Sequence, residues 1–88
     1  MAMRFSIITP SLNASKALKH CIASVADQGG VEVEHLVQDG GSTDGTRDWL
    51  PRDPRVQARI EPDQGMYDAI NRGFRRATGD VLAWLNAD

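Results

Sequence analysis

Cysteine is nearly absent from this chain. Cys21 stands alone among 88 residues, so no disulfide can form within it, and a reducing, cytoplasmic setting is expected. An excess of one charge is missing too. Ten Lys and Arg oppose twelve Asp and Glu, for a net charge of -2, and the two signs are interspersed, which argues against a nucleic-acid or anionic-membrane binder. Long apolar runs are also lacking. The segment Phe5-Ser6-Ile7-Ile8 is too short for a signal-peptide core and is followed at once by Thr9-Pro10, and no stretch approaches membrane-spanning length, so a soluble chain is expected. Asn13-Ala14-Ser15 matches a glycosylation sequon, which without a secretory signal reads as a chance match. At this length one domain is the maximum, burying about 60 to 65% of its unfolded surface around a thin core.

Several chemical signatures are absent as well. No G-x-x-x-x-G-K-[ST] occurs and no G-x-G-x-x-G follows the first apolar segment, which excludes a P-loop protein and disfavours a dinucleotide-binding domain. His20 and His35 do not fall at metal-ligand spacing and read as surface or strand residues. Asp39 to Gly45 resembles a calcium loop only superficially, because Gly41 occupies a ligand position and Asp44 the place of the obligatory glycine. No fixed-period repeat or low-complexity segment is present.

What is present centres on residues 36 to 46, where Leu36-Val37-Gln38 leads into Asp39-Gly40-Gly41-Ser42-Thr43-Asp44-Gly45-Thr46. Apolar strand composition gives way to a carboxylate, then to glycines that tolerate unusual backbone angles or close approach of a ligand, then to Ser, Thr and Asp suited to cap a helix. Around it the chain alternates. Arg4 to Thr9 reads as a strand stopped by Pro10. A helix from Ala14 presents Leu18, Cys21, Ile22 and Val25 on one face and ends at Gln28-Gly29-Gly30. Val31 to Gln38 is a second strand, and a short helix runs from Thr43 or Asp44 to about Leu50, with Pro51 and Pro54 making its exit a loop. Val56 to Ile60 is a weaker edge strand. Met66 to Ala77 is a helix with Met66, Ile70, Phe74 and Ala77 in one stripe, and Thr78-Gly79-Asp80 turns the chain into a fourth strand, Val81 to Leu85. Arg72, Arg75 and Arg76 read as a solvated basic face, with docking to a lipid head group the lesser alternative.

The order β-α-β-α-β-α-β predicts an α/β fold with a parallel sheet, helices on both faces and strand order 3-2-1-4. All strand C-termini then share one edge. Thr9-Pro10-Ser11, Asp39-Gly40-Gly41 and Asn86-Ala87-Asp88 should converge there, with the 63–68 loop on the same rim. Either carboxylate alone reads best as a cap or a solvated loop acid. Two on one sheet edge point to a site, with Asp88 suited to a hard cation such as Mg²⁺ or Mn²⁺ bridging to phosphates, and Asp39 to accepting hydrogen bonds from a base or ribose.

The run Ser6-Ile7-Ile8-Thr9-Pro10-Ser11-Leu12-Asn13, the stretch Val37 to Thr46, the segment Asp63-Gln64-Gly65-Met66-Tyr67-Asp68-Ala69-Ile70-Asn71-Arg72-Gly73 and the passage from Ala77-Thr78-Gly79-Asp80 to Leu85-Asn86-Ala87-Asp88 together resemble the N-terminal half of a family 2 glycosyltransferase. The resemblance implies a Rossmann-like GT-A fold, truncated after strand 4, and an enzyme that moves a sugar from a UDP- or GDP-type donor to an acceptor hydroxyl, as in bacterial surface polysaccharide synthesis. It implies that Thr9, Pro10, Ser11 and Asn13 line the nucleotide pocket, that Asp39 and Gly40 meet the base or ribose, and that the 63–71 segment, through Asp68 and Asn71, lies along the nucleotide sugar. Asn86-Ala87-Asp88 corresponds to the D-x-D metal motif with Asn in the first place, leaving Asp88 as the metal ligand for Mg²⁺ or Mn²⁺. The catalytic base and acceptor site belong to the part of the family that follows this motif. Residues 1–88 are therefore expected to form a donor-binding half, inactive alone, that meets a membrane-associated acceptor at the inner face of the membrane and self-associates through its open sheet edge. The alternatives are a non-catalytic nucleotide-binding or assembly module on the same scaffold and, less favoured, a receiver-type domain, which would want acidic residues where Thr9-Pro10 stands.

Overall fold

The computed structural model describes residues 3–87. Four parallel strands, β1 (Arg4–Ser11), β2 (Glu32–Asp39), β3 (Gln57–Ile60) and β4 (Val81–Trp84), lie in the order β3-β2-β1-β4. Between them come α1 (Ser15–Ala26), the short α2 (Thr46–Trp49) continued by a 3₁₀ turn (Leu50–Arg52), and α3 (Met66–Arg76). The expected topology is met in every strand and crossover. Among the described residues, no helix is long and apolar enough to cross a membrane.

Alternation along the strands decides what each helix covers. Thr9 meets Cys21 of α1, whereas Ile8 meets Gly73 of α3, so α1 and α3 lie on opposite faces. On the α1 face, Leu18, Ile22, Val37 and Leu50 form a fully buried cluster, with Trp49, Val56, Ala58 and Ile60 packed at its edge. On the other face, α3 buries Ala69, Ile70 and Gly73. The expected stripe is rotated here. Ile70 is buried and Phe74 half-buried, but Met66 is exposed, because close packing against Ile8 is made through Gly73.

Other boundaries differ for local reasons. β1 does not stop at Pro10, which pairs in register with Gln38. Leu85 N–H donates to Ile8 O at 2.9 Å, so even-numbered residues of β1 turn their backbone toward β4, and the ladder there has ended before Pro10 needs a donor. α1 ends at Ala26 with Asp27 at its cap, ahead of the glycines. Asp44 caps two elements at once. Its Oδ2 accepts the Ser15 N–H at the start of α1 (2.9 Å) and its Oδ1 accepts the N–H (3.2 Å) and hydroxyl (2.6 Å) of Thr46 at the start of α2. Pro51, expected in a loop, sits inside the 3₁₀ turn, where the first turn of a helix leaves N–H groups unpaired anyway.

At the N-terminal end of the sheet lies a buried carboxylate with no counterpart in the sequence reading. Glu34 accepts the Ser6 hydroxyl at 2.7 Å, the Thr78 N–H at 2.9 Å and the Thr78 hydroxyl at 2.9 Å. Burial pushes its pKa up, but these donors and Arg4 outweigh it and hold the carboxyl below the usual range. The turn after α3 is thereby tied to β1 and β2.

Candidate nucleotide-binding cleft

The C-terminal ends of the strands open on a cleft of about 300 Å³ lined by Pro10, Ser11, Leu12, Ala14, Asp63, Gly65, Met66, Ala69, Asn86 and Ala87. It sits at the topological switch point between neighbouring strands β1 and β4, where the strand order reverses, with β2 and β3 on one side of β1 and β4 on the other. Three separate chain segments therefore meet as the strand order requires. Pro10 and Ser11 come from β1, Asp63 to Ala69 from the start of α3, and Asn86-Ala87 from the exit of β4.

Asp39 borders the cleft from below but does not open into it. It is fully buried, and its carboxylate accepts hydrogen bonds from the Ser11 hydroxyl (2.9 Å), the Gly41 N–H (3.1 Å), the Ser42 N–H (2.7 Å) and the Ser42 hydroxyl (2.6 Å). Asp39, expected to meet a base or ribose, here folds the loop after β2 around itself. Gly41, at φ 103°, supplies the left-handed backbone that turns successive N–H groups onto one carboxylate. Ser11 links the two functions, since it lines the cleft and binds Asp39. Gly40 presents no side chain because the Asp63 carboxylate lies against it; a Cβ there would come within 2.9 Å of Asp63 Oδ2.

The remaining expected residues divide. Pro10 and Ser11 line the cleft. Thr9 does not, since strand alternation aims its fully buried side chain at α1, where its hydroxyl lies 2.8 Å from His35 Nε2. Asn13 stands beside the rim at φ 50° and ties two loops together. Its N–H donates to Ser42 Oγ at 2.8 Å and its Oδ1 accepts the Thr43 N–H at 2.7 Å. Asp68 and Asn71 are turned away. With about 100° per residue, Met66 and Ala69 share the cleft side of α3 and Asp68 falls to another side, where it accepts the Gln64 N–H at 2.8 Å and pairs with Arg72 at 3.0 Å. The Gln64 N–H, then burial acting the other way, then Arg72 leave the Asp68 pKa below the usual carboxylate value. Asn71 is exposed. Asp88 lies outside the described residues.

Sequence reasoning underweighted Asp63, which sits in the cleft with its Oδ1 accepting the Gly65 N–H at 2.9 Å. Its signal was the D-x-G spacing just ahead of α3, where Gly65, at φ 111°, supplies the turn into the helix. Leu12 and Met66, 59% and 41% exposed, give the cleft apolar shoulders. Among the described residues, no group of three His, Cys, Asp or Glu side chains could hold a metal ion. Among the described residues, the side-chain oxygen donors lining the cleft, the Asp63 carboxylate, the Asn86 amide and the Ser11 hydroxyl, are too few for a protein cage. They suit a hard cation held largely by the phosphates of a ligand.

A doubly wound parallel sheet whose strand ends open on one cleft defines the class, an α/β domain with a cleft at its switch point. The family is narrower. Residues 6–88 match glycosyl transferase family 2, and the chain belongs to that family. It is 44% identical over 92 residues to the PGL/p-HBAD biosynthesis glycosyltransferase of Mycobacterium tuberculosis, covering 99% of this chain and 36% of that protein. It is 38% identical over 88 residues to TuaG of Bacillus subtilis, a glycosyltransferase named for teichuronic acid biosynthesis, covering 94% of this chain and 35% of TuaG. The chain thus spans about a third of the length of these relatives. The mannosyltransferase PcManGT of Pyrobaculum calidifontis, solved in complex with GDP-Man and Mn²⁺, superposes on it with a TM-score of 0.85 at 27% identity, covering 100% of this chain and 28% of that enzyme. The sheet is accordingly the first part of a GT-A, Rossmann-like fold.

Proposed function

We propose that these residues form the donor-binding half of a glycosyltransferase that moves a sugar from a nucleoside diphosphate to an acceptor hydroxyl in the assembly of a bacterial surface polysaccharide or related glycoconjugate. The observation that carries this reading is the convergence of Pro10-Ser11, Asp63-Gly65-Met66 and Asn86-Ala87 on one cleft in a chain of family 2. PcManGT, with its GDP-Man and Mn²⁺, supports a GDP- or UDP-type donor, and the name of TuaG supports the surface-polymer setting.

In this reading Leu12 and Met66 receive the apolar face of the nucleoside, Ser11 and the loop that Asp39 holds shape the ribose end, and Asp63 accepts a donor hydroxyl. Asn86 and Asp88 bring oxygen ligands to the diphosphate end. A divalent cation bound there would offset the charge that develops on the departing diphosphate. The base that deprotonates the acceptor belongs to chain beyond this half.

Calorimetric titration of GDP and UDP, with and without Mn²⁺, tests the proposal. One of the two nucleotides is expected to bind only with Mn²⁺. Asp63→Asn should weaken binding about tenfold, or ~1.4 kcal/mol, and Asp88→Ala should abolish the Mn²⁺-dependent binding. Absence of binding by either nucleotide in the presence of Mn²⁺ would sink the reading.

A further inference from the structure

On the α3 face of the sheet, separate from the donor cleft and sharing none of its lining residues, Gln38, Arg59, Glu61, Arg72, Arg75 and Arg76 surround a depression of about 190 Å³. Strand alternation creates the separation, since Asp39 turns toward the α1 face and its neighbour Gln38 toward α3. Four guanidiniums meet here. Arg72 is paired with both Glu61 and Asp68, whereas Arg59 and Arg75 make no ion pair among the described residues. The basic face read from sequence as solvated is therefore partly internal, with Arg72 and Arg76 half-buried.

The floor of the depression has donors without acceptors. Gln38 is 1% exposed, and its Oε1 accepts from Arg76 at 3.1 Å, but its Nε2 has no partner; the Nε of Arg76 is buried and unpartnered as well. Buried N–H groups are normally paired, and one left over asks what supplies its acceptor. Arg76 is further strained electrostatically. Burial first, and then Arg59, lower its pKa from the ordinary guanidinium value, against the weaker pull of Glu61 and Glu34. Missing acceptors and uncompensated positive charge are answered by one kind of ligand, an oxyanion with several acceptor oxygens, which guanidinium groups bind from different directions.

We infer that the depression between β3 and the C-terminal half of α3 is a binding site for a phosphate group, with Arg59 and Arg75 as its mobile jaws and Gln38 and Arg76 as its fixed floor. The site is independent of the donor cleft, and its phosphate comes either from a small soluble ligand or from a lipid head group.

The ¹⁵N side-chain resonances of Gln38 Nε2 and Arg76 Nε, followed while inorganic phosphate is added against sodium chloride at matched ionic strength, read out the first source. Co-sedimentation with phosphatidylcholine vesicles, with and without phosphatidylglycerol, reads out the second. A saturable shift of both resonances is expected, weakened at least about tenfold in R59Q/R75Q and unchanged in K16Q/R52Q, a control that removes the same charge from exposed positions outside the depression. Arg59 and Arg75 are exposed, so the double variant should keep its fold. If only vesicles containing phosphatidylglycerol bind, and R59Q/R75Q abolishes that binding while K16Q/R52Q does not, the phosphate is a head group and the inference stands. Unsaturable or unaltered resonances together with no selective vesicle binding, or responses equal in both double variants, would overturn it. None of these readouts uses a nucleotide, so the donor reading can fail without affecting this one.

Discussion

At the scale of single residues, two buried polar groups govern how the molecule responds to its surroundings. Asp39 is satisfied by four donors, so it costs little to bury and anchors the loop beside the cleft. His35 is different. It is 4% exposed, its Nε2 faces the Thr9 hydroxyl and its Nδ1 has no partner. Burial, only slightly opposed by Asp53, lowers its pKa from 6.5 to about 4. Between those two values the unfolded chain holds a proton on this ring that the native chain does not, so stability must fall as pH falls through that window, by up to about 1.4 kcal/mol per pH unit for one proton. Urea unfolding measured from neutral pH down to pH 4 should follow that slope, and His35→Gln should flatten it whatever it does to absolute stability. An unchanged slope in the variant would remove His35 as the cause. Glu34 acts at lower pH in the same direction. Its carboxyl is held below its ordinary pKa, so the stability it contributes is present above the unfolded carboxylate value and is lost under acid.

At the scale of elements, the placement of α3 sets both of the sites. Its approach to β1 depends on Gly73, where an added Cβ would lie 2.5 Å from Ile8 Cγ2 and 2.6 Å from Ile8 Cγ1. Ala is intrinsically the better helix former by up to about 1 kcal/mol, but overfilling a packed contact costs about 1 to 3 kcal/mol. Ile8 is fully buried and branched at the atom nearest the backbone, so it has little room to yield. Gly73→Ala should therefore destabilise the chain by about 1 to 2 kcal/mol in urea titration. Stabilisation instead would show that α3 moves away from β1 freely. Nothing in the sequence marks this glycine as a contact, because in a helical pattern it looks like an ordinary interruption. The same close approach explains why the buried side of α3 is centred on Ala69, Ile70 and Gly73 and leaves Met66 exposed. Residue spacing fixes which side chains share a face, and the depth of the contact decides which face is buried.

At the scale of the whole molecule, β4 is an edge strand paired only with β1, and Leu82, Trp84 and Leu85 are 49%, 45% and 44% exposed beside it. An edge with open backbone donors and apolar side chains templates pairing with another chain. The 88 residues alone should therefore associate with a second copy as concentration rises, and Leu82→Lys should suppress that association. Sedimentation that remains strictly monomeric across the accessible range would rule out the edge as a pairing surface.

Alternating periodicity and the glycine-bounded segments of the chain were enough to determine the parallel sheet, the strand order β3-β2-β1-β4 and the edge on which the cleft opens, because local hydrophobic spacing and crossover handedness leave few other arrangements. Four motifs in order determined the family. Only the folded chain decided which side chains reach that edge. Thr9, Asp39 and Asp68 lie near the cleft in sequence but are turned into the protein or toward internal partners, while Asp63 and Gly65 line it. Whether a polar group faces a ligand or its own backbone depends on the donors that distant segments bring within about 3 Å, and that pairing exists only after the strands have assembled.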